Sequence, residues 1–305
     1  MNNFYVKTSG KGEPLLVLHG WAMNSSVWDL VRADLESNYE VSWIDLPGHG
    51  KNHAIDARSL DEIIDYILPF IPQNCHLLGW SLGGLIVQAL AQRVPQRIKS
   101  MTLVASTPRF SQKLSEDAQH WQHALSQDVL DNFYESMKAD LEGTLKRFIA
   151  LQFLGIKNSK TIQLEMSEKV LNSSLMLNGS TLITELSVSK DKTVSSLKTG
   201  GGASSAEHSR SIKINSVQIA AFKLGLKLLS ELDFRYSNDQ LYKLIPRHYL
   251  LSEYDRLVPV EVINDLKKFY PDAQITFFEK AGHAPFMTQP EKFIRVVTEF
   301  INHVR

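Results

Sequence analysis

Apolar positions along the first hundred residues alternate between two rhythms. Short, mostly apolar runs read as buried strands at Leu15 to His19, Glu40 to Asp45, Cys75 to Leu78 and Ser100 to Ala105. Phe4 to Thr8 alternates like an edge strand ahead of them. Between these runs, Asn24 to Ser37, Ser59 to about Phe70 and Leu85 to Arg93 carry helical spacing. Asn24 or Ser25 begins the first helix, and Ser59 caps the second, with Asp61 and Glu62 in a first turn whose free N–H groups favour acids. Strands alternating with helices predict a largely parallel sheet with helices on both faces.

The rhythm changes at Thr107. Residues 109 to 232 hold long amphipathic stretches without strand–helix alternation, which predicts an inserted helical cap. Phe133, Met137, Leu141, Leu145, Phe148 and Leu151 recur at helical spacing across Leu130 to Gly155. Packed over the carboxyl edge of the sheet, some of them are expected to wall an apolar chamber. From about 187 to 215 the composition shifts to Ser, Lys and Gly, which reads as a flexible, solvated loop, and Val217 to Leu229 resumes a helix. Alternation then returns: Arg247 to Ser252 as strand, Pro259 to Tyr270 as helix, Gln274 to Phe278 as strand, Glu291 to His303 as closing helix. The core is therefore expected in two pieces, 1–108 and 233–305, around a cap at 109–232.

Bulk properties narrow the partners. A chain of 305 residues suits one large domain carrying an insertion. Its 33 basic and 33 acidic residues cancel, so no overall field draws nucleic acid or an anionic membrane. The single cysteine, Cys75, has no internal disulfide partner and sits in an apolar strand, reading as a buried, inert thiol in a reducing compartment. Met1 to Lys11 lacks the basic-then-apolar layout of a signal peptide, and no stretch approaches a membrane span, so a soluble cytoplasmic protein is expected. No metal-ligand spacing, phosphate loop or dinucleotide fingerprint stands out, and neither metal nor cofactor is expected.

The chemistry centres on Gly79-Trp80-Ser81-Leu82-Gly83, between a strand and a helix. Gly-x-Ser-x-Gly occurs by chance in loops, but this context reads as a nucleophile elbow. A serine on such a turn stands clear of the sheet, while the following helix aims free N–H groups at developing charge. Gly79, Gly83 and Gly84 give the turn its room. A serine hydroxyl needs a base. Asp255 follows one late strand and His283 the next, giving the chain order Ser, Asp, His found in α/β-hydrolases; strand-end loops at one edge of a parallel sheet converge. Glu253 competes but points oppositely if its strand continues, and Asp265 and Asp233 lie on segments read as helical. His19-Gly20-Trp21 ends an early strand, so the N–H groups of Trp21 and Leu82 are the expected oxyanion hole. His19 reads as a loop anchor, and Asp45 and His49 as structural members of a glycine-rich loop.

His19-Gly20-Trp21, Gly79-Trp80-Ser81-Leu82-Gly83-Gly84, Arg147-Phe148-Ile149-Ala150-Leu151-Gln152 and Gly282-His283-Ala284-Pro285-Phe286 together resemble the BioH family, the pimeloyl-[acyl-carrier protein] methyl ester esterases of bacterial biotin synthesis. The likeness runs over nearly the whole chain except the 170s to about 220, where this sequence looks longer. The resemblance implies an enzyme that cleaves the methyl ester of pimeloyl-carrier protein, leaving a carboxylate and methanol; with the serine chemistry above, a monomeric, cofactor-free esterase working through an acyl-enzyme is expected. The resemblance implies substrate contacts at Trp21, Ser81, Leu82, Phe148, Ile149, Ala150, Leu151, Gln152 and His283. It also implies carrier-protein contacts at Arg147 and Lys160. Two further positions where the family carries arginine are Gly143 and Leu164 here, with Lys146 and Lys157 nearby to compensate. Ser252 stands where a glycine is common before the acid loop. A general short-chain carboxylesterase or thioesterase would share the same triad, whereas a haloalkane dehalogenase would need a carboxylate at Ser81. A non-catalytic ligand-binding protein on this fold is the reading from another class.

Overall fold

The strand-forming runs assemble into one seven-stranded sheet in the order β1-β3-β2-β4-β5-β6-β7. The computed structural model describes residues 4–113, 121–157, 159–172 and 214–304. The strands are β1 Val6–Gly10, β2 Glu13–Leu18, β3 Tyr39–Ile44, β4 Cys75–Trp80, β5 Ile98–Val104, β6 Arg247–Ser252 and β7 Gln274–Phe278. Only β1 runs antiparallel, against β3; each remaining pair is parallel. Every residue of β4 and β6 is buried, as expected of strands covered on both faces. β1 starts two residues later than the alternation from Phe4 predicts, because its register against β3 begins with Val6 opposite Ile44.

Helices α1 Asp29–Asn38, α2 Leu60–Ile67 and α3 Leu82–Arg93 link the early strands. Ser59 caps α2 by accepting the Glu62 N–H. The helix expected from Asn24 begins instead as a 3-10 turn, Ser25–Trp28, with the Asn24 side chain accepting the Ser26 N–H. The stretch expected as a cap, 109–232, contributes α4 Gln127–Ala139, α5 Leu141–Gln152, α6 Lys160–Asn172 and α7 Ser216–Glu231. The pattern read as continuous across Leu130 to Gly155 is broken at Asp140. Its carboxylate accepts the Gly143 N–H at 2.8 Å and starts a second helix that keeps the same apolar face inward. The cap's first residues are not helical: Ser111 bridges Leu125, and Lys113 bridges Trp121. Up to residue 213, the Ser/Lys/Gly-rich stretch lies outside the described residues.

After the cap come α8 Gln240–Leu244, α9 Val262–Phe269, α10 Pro285–Thr288 and α11 Pro290–His303. α8 and α10, too short for periodicity to show, were not legible in advance. The core continues directly beneath the strand ends that matter. Trp28 stacks at 4.2 Å on Phe286, which meets Trp80 edge-on at 5.1 Å and Phe293 at 5.8 Å. This aromatic stack ties the loop before α10, and hence His283, to the strand carrying the elbow. Among the described residues no helix is long and apolar enough to cross a membrane.

Candidate active site

Ser81 closes β4 and opens α3 with φ +55° and ψ −118°, a conformation that costs a non-glycine residue on the order of 1–3 kcal/mol. Its neighbours hold it there: the Ser81 N–H donates to the Val104 carbonyl at 2.9 Å, and the Gly84 N–H to the Ser81 carbonyl at 2.9 Å. The glycines are dictated by close approach. A Cβ on Gly79 would lie 2.4 Å from the Gly83 carbonyl oxygen, and one on Gly83 would lie 2.5 Å from that of His19. The turn therefore admits no side chain on its inner positions, and Ser81 is left only 2% exposed.

Asp255 sits in the turn after β6 and His283 in the loop after β7, as the strand order predicts. His283 Nδ1 lies 2.8 and 3.0 Å from the two Asp255 carboxylate oxygens, and both residues are buried. Asp255 Oδ1 also accepts the N–H groups of Leu257 and Val258, at 2.8 and 2.9 Å, which fixes the carboxylate against its own turn. A carboxylate so placed holds the ring proton on Nδ1 and leaves the Nε2 lone pair free. Nε2 is buried and makes no hydrogen bond among the described residues. None of the competing acids touches His283: Glu253 accepts the Lys280 N–H, and Asp265 binds His123 at 2.9 Å. Asp233, expected on a helix, lies just past the end of α7 and pairs with Arg235.

Two backbone anchors of the histidine were not legible in the sequence. The Trp80 indole N–H donates to the His283 carbonyl at 2.8 Å, and the His283 N–H donates to the Gln152 carbonyl at 3.0 Å. The elbow tryptophan and the end of α5 thus clamp the same residue. Both polar side-chain atoms of Gln152 are buried without a hydrogen bond.

The expected oxyanion side is a tight turn in which the Met23 N–H donates to the Gly20 carbonyl at 3.2 Å and Ala22 takes φ +57°. That turn leaves the Trp21 N–H outside its own hydrogen bond. Leu82 opens α3, so its N–H has no partner within the helix. The turn lies against the elbow, since a Cβ on Gly20 would stand 3.3 Å from the Ser81 Cβ. His19 anchors it, with Nδ1 2.8 Å from the Gly20 carbonyl and Nε2 accepting the Leu46 N–H at 2.9 Å. Burial lowers the His19 pKa, consistent with a neutral ring that donates on one side and accepts on the other. Asp45 accepts the N–H groups of Ser25 and Lys51, and His49 faces the Pro47 carbonyl at 2.8 Å, both structural arrangements. Burial pushes His49 down to about 3 and the Cys75 thiol up to about 12.

Above the elbow, the Trp21 indole N–H donates to the Phe222 carbonyl of α7 at 2.8 Å, and its ring meets Phe148 of α5 edge-on at 4.8 Å. Of the five residues Phe148 to Gln152, Phe148, Ile149 and Gln152 are buried, Leu151 is half-buried and Ala150 is exposed, as one turn of a surface helix requires. Arg147 and Lys160 are exposed on the cap. The Arg147 guanidinium is steadied by Thr144 Oγ1 at 2.9 Å, with Asp140 at 3.5 Å. Lys146 pairs with Glu142, and Leu164 presents an apolar side chain to solvent. Phe133, Thr144, Arg147 and Leu151 line an open cleft of about 330 Å³ between α4 and α5.

A family model described as alpha/beta hydrolase fold matches residues 13–290. The chain is 30% identical to the pimeloyl-[acyl-carrier protein] methyl ester esterase of Aliivibrio fischeri, over 98% of this chain and 97% of that protein. It is 31% identical to the protein of the same name from Aeromonas hydrophila, over 97% and 98% respectively. Among solved structures, an esterase from Exiguobacterium antarcticum superposes with TM-score 0.71 at 18% identity, over 98% of this chain and 95% of that one. A bromoperoxidase from Bacillus anthracis gives TM-score 0.72 at 18% identity over the same shares, 98% and 95%. At that identity the structural likeness concerns the fold.

Proposed function

The chain belongs to the α/β-hydrolase family and, within it, to the pimeloyl-[acyl-carrier protein] methyl ester esterases, and from that premise we propose that it hydrolyses the methyl ester of a carrier-bound pimeloyl chain. The observation that carries the mechanism is His283, with Nδ1 on Asp255 and a buried, unpartnered Nε2 in a loop clamped to the elbow. Ser81 attacks the ester carbonyl as His283 takes its proton at Nε2, and Asp255 stabilises the imidazolium. Negative charge on the carbonyl oxygen is met by the N–H groups of Trp21 and Leu82, each worth about 3 kcal/mol in the transition state. Collapse breaks the bond to the methoxy group, which takes the proton from His283 and leaves as methanol. Water then attacks the acyl-enzyme by the same route and releases the carboxylate.

The partner follows from the relatives' name and the cap surface. An acidic carrier would meet Arg147, Lys146, Lys157 and Lys160, and its acyl arm needs an apolar way in. The cleft between α4 and α5, with Leu151 in its wall and Arg147 at its edge, suits that approach. The test compares pimeloyl-carrier protein methyl ester with a short p-nitrophenyl ester, using the wild type and Ser81→Ala at low and moderate salt. Preference for the carrier-bound ester that weakens with salt, with kcat reduced about 10³-fold or more in Ser81→Ala, is expected. Rapid short-ester cleavage without turnover of the carrier substrate would leave a general carboxylesterase.

A further inference from the structure

Arg247, the first residue of β6, lies at the amino edge of the sheet, whereas Ser81, Asp255 and His283 follow carboxyl ends. Five strand rises, about 17 Å, separate it from Ser252. Here α8, Pro246 and the turn from Phe269 to Ala273 enclose a cleft of about 450 Å³, within the range of small-molecule sites. Arg247 is only 5% exposed, yet no carboxylate pairs with it among the described residues. Its Nη2 donates to the Tyr242 carbonyl at 2.7 Å, and its Nε reaches the Ile245 carbonyl at 3.4 Å, both at the end of α8. Its Nη1 is buried and makes no hydrogen bond. The guanidinium carbon stands 4.4 Å from the centre of the Tyr270 ring and 4.9 Å from that of Tyr242, so aromatic faces flank the charge.

Carbonyl oxygens and tyrosine side chains face that charge, and no carboxylate among the described residues neutralises it. Buried ions are ordinarily paired or bound to a counter-ion, because lost hydration must be replaced. Arg235, which also lines the cleft, is matched by Asp233 at 2.7 Å. That leaves Lys243 and Arg247 against Asp272 among the charged lining residues. The Tyr242 hydroxyl, like Arg247 Nη1, is buried and makes no well-aligned hydrogen bond, although the two side chains lie close enough to interact with each other. Burial raises the Tyr242 pKa to about 12, so its hydroxyl keeps a proton to donate at neutral pH. Leu244, Ile245, Pro246 and Pro271 supply apolar wall for more than a bare ion.

We propose that this cleft is a second ligand site, in which Arg247 Nη1 and the Tyr242 hydroxyl bind the oxyanion, carboxylate or phosphate, of a small organic anion with an apolar body. The proposal stands apart from the assignment of Ser81 and does not rest on it. The test is titration calorimetry of the full chain with benzoate, phenyl phosphate and neutral benzamide. Benzoate or phenyl phosphate should bind about tenfold more tightly than benzamide, and more weakly as salt rises. The tighter of the two anions identifies the group recognised. Arg247→Gln should cost about tenfold in affinity, and Tyr242→Phe, which keeps the ring and fold, several-fold. Blocking Ser81 with a sulfonyl fluoride should leave binding unchanged. If neither anion binds better than benzamide, if Tyr242→Phe binds like the wild type, or if blocking Ser81 abolishes binding, the site does not exist and Arg247 serves only to cap α8.

Discussion

At the scale of single residues, the proposed base His283 and its partner Asp255 are held by bonds with distinct roles, and substitutions separate them. Asp255→Asn replaces an acceptor by a group that presents an N–H on one side. It disturbs both the His283 tautomer and the turn of Leu257 and Val258. We expect kcat to fall by about 10⁴-fold, as the tautomer argument requires, and a urea midpoint lowered by about 1–3 kcal/mol of stability. A variant that lost stability but kept kcat would reduce Asp255 to a turn anchor. Trp80→Phe keeps an aromatic ring against Phe286 but deletes the N–H to the His283 carbonyl and part of a buried ring. The expectation is a kcat reduced about tenfold with KM nearly unchanged, because the lost bond aims the base rather than gripping substrate. Steady-state kinetics on the p-nitrophenyl ester would show the split.

At the scale of elements, α7 packs closely against Trp21 and Leu82, the expected oxyanion donors. A Cβ on Gly225 would lie 2.6 Å from Trp21 Cδ1 and 3.0 Å from Leu82 Cδ2, contacting both residues expected to donate to the oxyanion. Gly225→Ala gains helix propensity of about 1 kcal/mol but must push the Trp21 ring or the helix aside. We expect thermal stability to change little and kcat/KM to drop about tenfold or more. Equal kcat/KM in the variant would show that the Trp21 loop tolerates displacement. The break at Asp140 belongs to this scale too. Leu130 to Gly155 reads as one periodic stretch because both helices bury the same face, and only the cap bond to Gly143 divides them.

For the whole molecule, buried neutral histidines set an acid limit. Burial pushes His49 to about 3 and His248 to about 4, and it also lowers His19 and His76. An unfolded histidine titrates near 6.5, so below that pH the unfolded chain binds more protons than the folded one. Stability must therefore fall as pH drops through 6.5, continuing to about 4 for His248 and about 3 for His49. Between pH 7 and pH 5, each of these two contributes a loss of about 2 kcal/mol. Urea midpoints at pH 7, 6 and 5 should decline steadily. A flat profile would mean that water reaches these rings.

Much of the architecture was readable because its signals are local. The bounds of β6 and β7 came directly from apolar runs closed by turn residues, and Ser59 announced α2 by its own side chain. The elbow and the Gly20 turn were legible for the same reason, each being a short pattern whose chemistry follows from adjacent residues, while the order Ser81, Asp255, His283 was read from which strands those residues follow. What only the tertiary structure decided joins residues far apart in the chain. The Trp80 N–H finds the His283 carbonyl 203 residues away, and the Trp21 N–H finds Phe222 201 residues away. The clamp of His283 by Gln152 and the unpaired Arg247 between Tyr242 and Tyr270 are of the same kind. Periodicity encodes which face a residue turns inward. It does not encode which distant backbone group or ring meets it there, since that depends on how strands, cap and helices pack.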